Sequence, residues 1–253
     1  MIYDLQKASF LKRLSAFILD AILLLVLVTG LMLVLSPVLN IEGHYADLEK
    51  AYQKYEQKYQ TSFRLTQEEY EALSEADRAV LDAAYEEFSK DEDALYAYNM
   101  LINLLLPMIP LSIFTAYLLL EFAVPMLFGN GQTVGKKVFA IGVMRVDGVK
   151  LNGVTLFVRS ILGKYTVETM VPVMLIIMVL VDALGIVGPA VILLMGILQV
   201  ILLIVTQTNS AIHDCLAHTV TVDLQSQMIF GSESELIDYK KRLHEEKVNK
   251  STY

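Results

Sequence analysis

The chain has 253 residues, of which 55% are hydrophobic, and its mean hydropathy is +0.51. Soluble domains are rarely more than about half apolar, so this composition argues against an ordinary soluble domain and predicts a membrane protein. The formal net charge is −8, but its sign varies strongly along the chain, so the total says little about partners. We expect no nucleic-acid partner. The single cysteine, Cys215, excludes an intramolecular disulfide.

Four apolar runs have a length suited to crossing a bilayer, which takes roughly 17–25 mainly apolar residues in a helix. They cover residues 10–35, 98–128, 165–181 and 190–206. The first run begins with basic residues but exceeds the ~7–15 apolar residues of a signal peptide, so we expect a retained anchor. Gly185, Gly188 and Pro189 predict a tight hairpin between the last two runs. A two-span arrangement, with residues 165–206 partly interfacial, is the alternative.

The distribution of charge predicts the orientation of the spans. Residues 129–164 hold six basic residues and one acid, whereas residues 41–97 hold fifteen acids and six bases. Basic residues concentrate in cytoplasmic loops. The pattern therefore predicts four spans, with both termini and residues 129–164 in the cytoplasm.

The acidic segment 41–97 is periodic. Its apolar and tyrosine side chains recur at spacings of three and four, which predicts two helices separated near residues 60–65. Thr66 and Glu69 have the spacing of a capping box at the start of a helix. A solvated extracytoplasmic helical hairpin is the simpler interpretation, and a cap that binds a partner or attracts cations is the functional one.

Residues 138–152 carry a β-hairpin pattern in which Asp147 and Gly148 would form a type I′ turn. The following residues, 155–164, suit an interfacial amphipathic helix whose Arg159 and Lys164 contact anionic headgroups. Near the end of the chain, residues 232–250 predict a charged, exposed cytoplasmic helix.

Asp20 lies about ten residues into the first apolar run, where an ionised carboxylate costs ~2.5–3.5 kcal/mol. It must therefore face protein, pair with a partner or be protonated. Arg13 lies seven residues earlier on the same helical face, and Glu121, at a similar depth in the second run, is the expected neighbour of Asp20. Two such acids need a shared proton, a cation or a base. A packing role and a cation- or proton-binding role both remain open. We expect Glu168 near the cytoplasmic start of the third run and Asp182 at the outer hairpin.

Two further patterns invite a chemical interpretation and do not sustain it. The glycine-rich residues 129–137 lack the Gly and Ser/Thr that a phosphate-binding loop requires, because Asn130 and Lys137 stand in those places. A tight turn is the better prediction. His213 and His218 do not have the spacing of a helical zinc pair. We therefore expect no metal, no cofactor and no enzymatic activity.

Three stretches of the chain resemble the RDD family of bacterial integral membrane proteins in order and spacing. They are SFLKRLSAFILD (residues 9–20), GQTVGKKVFAIGVMRV (residues 131–146) and AIHDCLAHTVTV (residues 211–222). The family is named for one arginine and two aspartates, which correspond here to Arg13, Asp20 and Asp214.

The resemblance implies an all-α polytopic protein of the bacterial plasma (inner) membrane. Residues 1–222 would form the membrane domain, with 41–97 as an unusually long insert, and residues 223–253 a charged cytoplasmic tail. Sodium/proton antiport has been attributed to some members. Carried over, it implies that Na⁺ or H⁺ binds at Asp20, with Arg13 as its electrostatic partner. The alternative is a scaffold or accessory subunit that binds a membrane-protein partner through the insert. Small residues near the last span would also permit a homo-oligomer in contact with membrane lipids.

Overall fold

The computed structural model describes residues 5–180 and 183–251, with side chains described as far as residue 248. The described chain is mostly helical and divides into two compact units. Unit 1 comprises Met1–Val28 and Ile113–Tyr253, and unit 2 comprises Thr29–Ser112.

The helices are α1 (Phe10–Val38), α2 (Ile41–Tyr59), α3 (Gln67–Ala72), α4 (Glu75–Lys90), α5 (Glu92–Phe128), α6 (Val134–Val138), α7 (Gly153–Leu180), α8 (Val187–Val205), α9 (Ile212–Leu216) and α10 (Glu233–Ser251). The strands are β1 (Ile141–Arg145) and β2 (Thr219–Asp223). Within α5 and α7, the stretches Leu118–Ala123 and Val158–Met170 are π-helical. In a π-helix each N–H bonds to the carbonyl five residues earlier.

Four helices, α1, α5, α7 and α8, are long and apolar enough to cross a membrane. The prediction of four apolar helices is therefore confirmed. The third one starts at Gly153, twelve residues before the predicted position 165. Residues 155–164 are consequently the first part of this helix and not a separate interfacial element. Val181 and Asp182, at its predicted end, lie outside the described residues.

Arg159 and Lys164 point into unit 1, so the prediction that they contact lipid headgroups is wrong. Only 4% of the Arg159 side chain and 14% of the Lys164 side chain are exposed. The reason is the π-helical stretch, in which residues about five apart share a face. Arg159, Lys164 and Glu168, at spacings of five and four, all contact other elements of the unit.

The predicted β-hairpin forms only in part, through one antiparallel bridge between Met144 and Lys150. β1 pairs antiparallel with β2, so that Val143 lies opposite Thr221. Residues 149–151 supply only this isolated bridge to β1, because Val149 and Lys150 pair with Phe230, whose carbonyl accepts from Lys150 N at 2.8 Å. The turn itself exists, since Arg145 N donates to Val149 O at 2.9 Å. Of the residues in this turn only Gly148 has a positive φ, whereas a type I′ turn requires two.

The small sheet joins three distant segments of unit 1. Lys7, which precedes α1, forms a bridge with Val222 of β2, and β2 pairs with β1 between α5 and α7. The segment before α1, the α5–α7 connection and the segment after α8 therefore lie on the same side. That arrangement agrees with four spans. A cytoplasmic location for this side stays a prediction.

The charged C-terminal helix is less exposed at its start than the sequence suggested. Leu236 of α10 packs with Phe230 and with Val149 of the turn after β1. Arg145 also forms an ion pair with Glu233 at 3.0 Å. The proposed boundary between residues 222 and 223 is untested.

Unit 2 contains the helices expected in the acidic insert. The first ends at Tyr59, where Gln60 takes a left-handed conformation with φ 52°. The capping box at Thr66 and Glu69 is confirmed and starts the additional short helix α3. The unit has its own core, in which the buried residues are Leu48, Tyr55, Phe88, Ala94, Ala97 and Leu101. The partly buried rings of Tyr52, Tyr59 and Phe63 pack against this core, which explains the tyrosine periodicity of the sequence.

Engineered disulfides test the pairing of β1 with β2. In a chain with Cys215→Ser, we expect Val143→Cys with Thr221→Cys to cross-link in membranes under mild oxidation. Opposed antiparallel residues have Cα atoms ~4.5–5.5 Å apart, within the range of a disulfide. Val143→Cys with Gln225→Cys, four residues out of register, is the matched control and should stay reduced. Peptide mass spectrometry reads both, and a linked control with an unlinked test pair would contradict the register.

Candidate functional site

Asp20 is held by hydrogen bonds from the segment between α5 and β1. Its Oδ1 accepts from Gly135 N at 2.7 Å, and its Oδ2 accepts from Thr133 Oγ1. Thr133 also caps α6, because its Oγ1 accepts from Lys136 N at 3.3 Å. A single carboxylate thus anchors the start of α6 on α1. The sequence did not identify this partner of Asp20, which is the glycine-rich segment that contains Thr133 and Gly135.

The anchor requires a glycine at position 135. A Cβ there would lie 2.9 Å from Asp20 Cγ and closer still to the carbonyl oxygen of Ala16. The absence of a side chain therefore allows the backbone of α6 to approach α1 closely enough for Gly135 N to reach the carboxylate.

Asp214 is the centre of a second cluster and is only 1% exposed. Its Oδ1 lies 2.8 Å from Arg159 NH1 and accepts from Thr219 Oγ1 at 3.0 Å. Its Oδ2 lies 3.8 Å from Arg13 NH2. The cluster thereby links α1, α7, α9 and β2. Burial alone would favour the neutral acid, but the guanidinium charges of Arg159 and Arg13 hold the pKa of Asp214 well below its usual range.

His213 extends this cluster to Glu168. The backbone N of His213 donates to Glu168 Oε1 at 2.9 Å, and Nδ1 lies 2.8 Å from Oε2. Arg159 NH2 is 3.0 Å from His213 Nε2. Because a guanidinium only donates and a carboxylate accepts, Nδ1 carries the proton and Nε2 accepts. Burial, assisted by the charge of Arg159, lowers the pKa of His213, which agrees with a neutral imidazole.

Glu121 belongs to a third, separate pair. Its Oε1 lies 2.6 Å from Lys164 Nζ, and its backbone carbonyl accepts from Ser160 Oγ at 2.6 Å. Both residues of the pair are in the π-helical stretches of α5 and α7. The expected pairing of Asp20 with Glu121 is therefore wrong, because each carboxylate has its own donors.

Lys136 differs from the other charged residues around this site. Within the described parts of the chain, its Nζ has no ion-pair or hydrogen-bond partner, and only longer-range charges act on it. Burial, followed by the positive charge of Lys164, lowers the pKa of Lys136 to about 7. Its ammonium group is therefore in equilibrium with the neutral amine near neutral pH.

A cavity of about 410 Å³ within unit 1 brings these clusters together. Its charged walls are formed by Arg13, Asp20, Lys136, Arg159, Lys164, Glu168 and Asp214, with His213 beside them. Four of those side chains are basic and three are acidic. The size and the convergent polar groups are typical of a small-ligand site. Among the described residues, no group of three or more His, Cys, Asp or Glu side chains is arranged to hold a metal ion.

The three residues to which the family resemblance pointed, Arg13, Asp20 and Asp214, all line this cavity but do not form one bonded set, and Glu121 is not part of the lining. Arg13 pairs with Asp214, whereas Asp20 bonds to the α6 segment. Sequence reasoning missed the roles of Arg159 and Lys136. The spacing of charges along residues 159–168 could have indicated that Arg159 points inward. These charged residues share one face only in a π-helix, and the sequence does not show that the helix is of this kind.

Comparison with known proteins places the site within a family. The model of the RDD family matches residues 7–218, which include every charged residue of the cavity. No curated protein and no solved structure matches the chain.

Gly135→Ala should lower the free energy of unfolding by about 1–3 kcal/mol, the usual cost of overpacking. The added methyl group would overlap the Ala16 carbonyl and displace Asp20. Gly153→Ala is the matched control, because a Cβ there meets nothing within 4 Å. Thermal denaturation of the purified protein in detergent measures both. Equal stability of the two variants would contradict the close approach of α6 to α1.

Asp214→Asn should cost about 3–5 kcal/mol, because it leaves buried guanidinium charges without their counter-ion. Asp223→Asn removes a carboxylate from the partly exposed pair with Lys12, and should cost less than about 1 kcal/mol. The difference in melting temperature between the two variants gives the result. If Asp214→Asn were as stable as Asp223→Asn, the cluster would not hold unit 1 together.

Proposed function

Since the chain belongs to the RDD family of membrane proteins, we propose that it is a transport-related protein whose cavity exchanges a cation for a proton. Lys136 is the group that takes up and releases this proton. The observation that carries the proposal is the position of Lys136 in the cavity wall without a counter-ion partner among the described residues. A pKa of about 7 lets it change charge under ordinary conditions.

The exchange follows from the charge balance of the cavity. With Lys136 protonated, its ammonium offsets the negative field of the nearby Asp20 and Glu121 carboxylates. Loss of the proton leaves three basic and three acidic side chains in the wall, with the Glu121 carboxylate nearby, so the cavity accepts a cation such as Na⁺ more readily. Binding of the cation in turn disfavours protonation of Lys136, because like charges at short range in a poorly solvated site repel strongly. Proton and cation therefore compete for one site.

Under this proposal the signature residues position the site and do not themselves exchange ligands. Asp20 keeps its two oxygens on Thr133 and Gly135, which fixes the helix that carries Lys136. Arg13 and Asp214 fix α1 against α9. The proposal thus moves the exchanging group from Asp20, where the family resemblance put it, to Lys136.

We further propose that the side bearing the sheet is cytoplasmic in a bacterial plasma membrane. The connection between α5 and α7, residues 129–152, carries four basic residues against one acid, as cytoplasmic segments do. Four helices are few for a transporter, so a homo-oligomer is part of the proposal.

A non-transporting scaffold or accessory subunit is the second candidate. The internal bonding of Arg13, Asp20 and Asp214 favours it, because each has a structural partner. In that case the acidic insert would recruit a membrane-protein partner. A protein that folds correctly and moves no cation or proton would support this candidate.

Proteoliposomes with an imposed pH gradient test the exchange. We expect Na⁺ or Li⁺ to dissipate the gradient through the unaltered protein, and Lys136→Met to abolish this effect because the side chain can no longer bind a proton. Lys137→Met is the matched control. Lys137 is exposed and its Nζ lies over the Phe128 ring, 3.7 Å from the centroid, so this variant should retain exchange. A fluorescent pH indicator inside the vesicles gives the rate.

The pH dependence provides a second readout. Below about pH 7 Lys136 is mostly protonated and excludes the cation, and above it the amine carries too little proton to exchange. The rate should therefore be greatest near pH 7 and fall on both sides. Undiminished exchange in Lys136→Met would contradict the assignment of Lys136, and a gradient unaffected by any tested cation would favour the scaffold.

A further inference from the structure

The cavity has a second polar end, at Arg13. One carboxylate, Asp214, serves two guanidinium groups, and Arg159 is much the closer at 2.8 Å against 3.8 Å for Arg13. Arg13 NH1 donates to the Asn209 carbonyl at 2.7 Å. The 3.8 Å separation from Asp214 is too long for a hydrogen bond. Among the described residues, Arg13 thus has a charge that is only partly compensated and N–H groups that donate to no protein acceptor.

The wall beside Arg13 is apolar and open. Phe10, Leu14 and Phe17 of α1 line the cavity, and their exposed fractions are 72%, 40% and 64%. Leu203 of α8 also contributes to the lining. Exposed apolar side chains on a membrane-crossing helix face acyl chains. The cavity is therefore bordered by a surface that continues into the bilayer.

The depth of Arg13 matches that of lipid headgroups. It is the fourth residue of α1, which begins at Phe10, and basic residues near the ends of such helices lie at the interface. Asp20, which anchors the Lys136 helix, is seven residues further along, about 10 Å away along the helix axis. The Arg13 end and the Lys136 end are consequently different subsites of one cavity.

We infer that the Arg13 end binds the phosphate of an anionic phospholipid. The guanidinium group donates two parallel hydrogen bonds to phosphate oxygens, the geometry for which arginine is best suited. The glycerol and the upper acyl chains lie along Leu14 and Phe17, which follow Arg13 towards the bilayer centre. Free phosphate could accept hydrogen bonds from Arg13 but would make no contact with this apolar wall. A phospholipid contacts both the guanidinium group and the wall, so it is the occupant that fits. The inference rests on the proposed function only in using the same cavity as a binding site.

The sequence allows a direct assay, because the chain contains no tryptophan. Phe17→Trp places one fluorophore at the cavity, and Leu25→Trp places one on an exposed part of the same helix, away from the cavity lining. Each full-length variant is reconstituted in phosphatidylcholine vesicles containing brominated phosphatidylglycerol or brominated phosphatidylcholine. We expect the anionic lipid to quench Phe17→Trp at lower mole fraction than the neutral lipid does. For Leu25→Trp the two lipids should quench alike.

Substitutions in the Phe17→Trp chain separate a built site from general surface attraction. Arg13→Gln should lower the apparent affinity for brominated phosphatidylglycerol about tenfold, as expected for a lost hydrogen bond to a charged group. Lys12→Gln removes a neighbouring positive charge that does not line the cavity. This variant should change the apparent affinity for brominated phosphatidylglycerol less than about fivefold. Arg13→Lys keeps the charge but loses the paired donors, so its apparent affinity should lie between those of Arg13→Gln and Lys12→Gln.

Three outcomes would overturn the inference. Equal quenching of Phe17→Trp by both lipids would show that no headgroup is selected. Equal losses in Arg13→Gln and Lys12→Gln, with Arg13→Lys unchanged, would show diffuse attraction. Relief of the quenching by millimolar inorganic phosphate would identify free phosphate as the occupant. Lys136→Met cannot exchange a proton. If it still selects the anionic lipid, lipid binding at Arg13 does not depend on the proposed cation/proton exchange.

Discussion

The buried ion pair between Arg159 and Asp214 is the interaction on which the rest of unit 1 depends. A charge removed from water inside a membrane protein must find an opposite charge or enough hydrogen bonds, or the fold does not form. Here Asp214 supplies the negative charge for Arg159 and Arg13, and Thr219 completes its hydrogen bonding. One carboxylate therefore determines how α1, α7, α9 and β2 meet, and their meeting creates the cavity.

The same requirement explains why the cavity is chemically uneven. Glu121 is neutralised by Lys164 and Glu168 is bonded to His213. Lys136 receives no such partner within the described chain, and Arg13 receives only a distant one. Charged side chains whose ion pairs and hydrogen bonds are complete stabilise the fold, whereas those with incomplete bonding can still bind a ligand. The proposed proton exchange and the inferred lipid site follow from these two incompletely satisfied cations.

Much of the architecture could be predicted from local sequence patterns. Apolar run lengths predicted the four helices that are long and apolar enough to cross a membrane, and the Thr66–Glu69 spacing predicted a helix start that the structure contains. The failures concern interactions between distant residues. The pairing of β1 with β2 joins residues 141–145 to residues 219–223. A local sequence pattern favours a hairpin between neighbouring segments and does not reveal a partner so far along the chain. The inward direction of Arg159 depends on π-helical geometry, which apolar periodicity does not report. Lys136 lies in the glycine-rich segment, and its isolation from partners is visible only in three dimensions.

The central claim is that Lys136 stands without a counter-ion in the cavity wall and changes charge near neutral pH. Competitive acetylation of the full-length protein in membranes, followed by peptide mass spectrometry, measures the reactivity of each lysine amine against pH. The account predicts that Lys136 reaches half of its maximal reactivity at about pH 7. A midpoint near 10.4, the value of an ordinary lysine, would mean that Lys136 is solvated or paired, and would contradict the account.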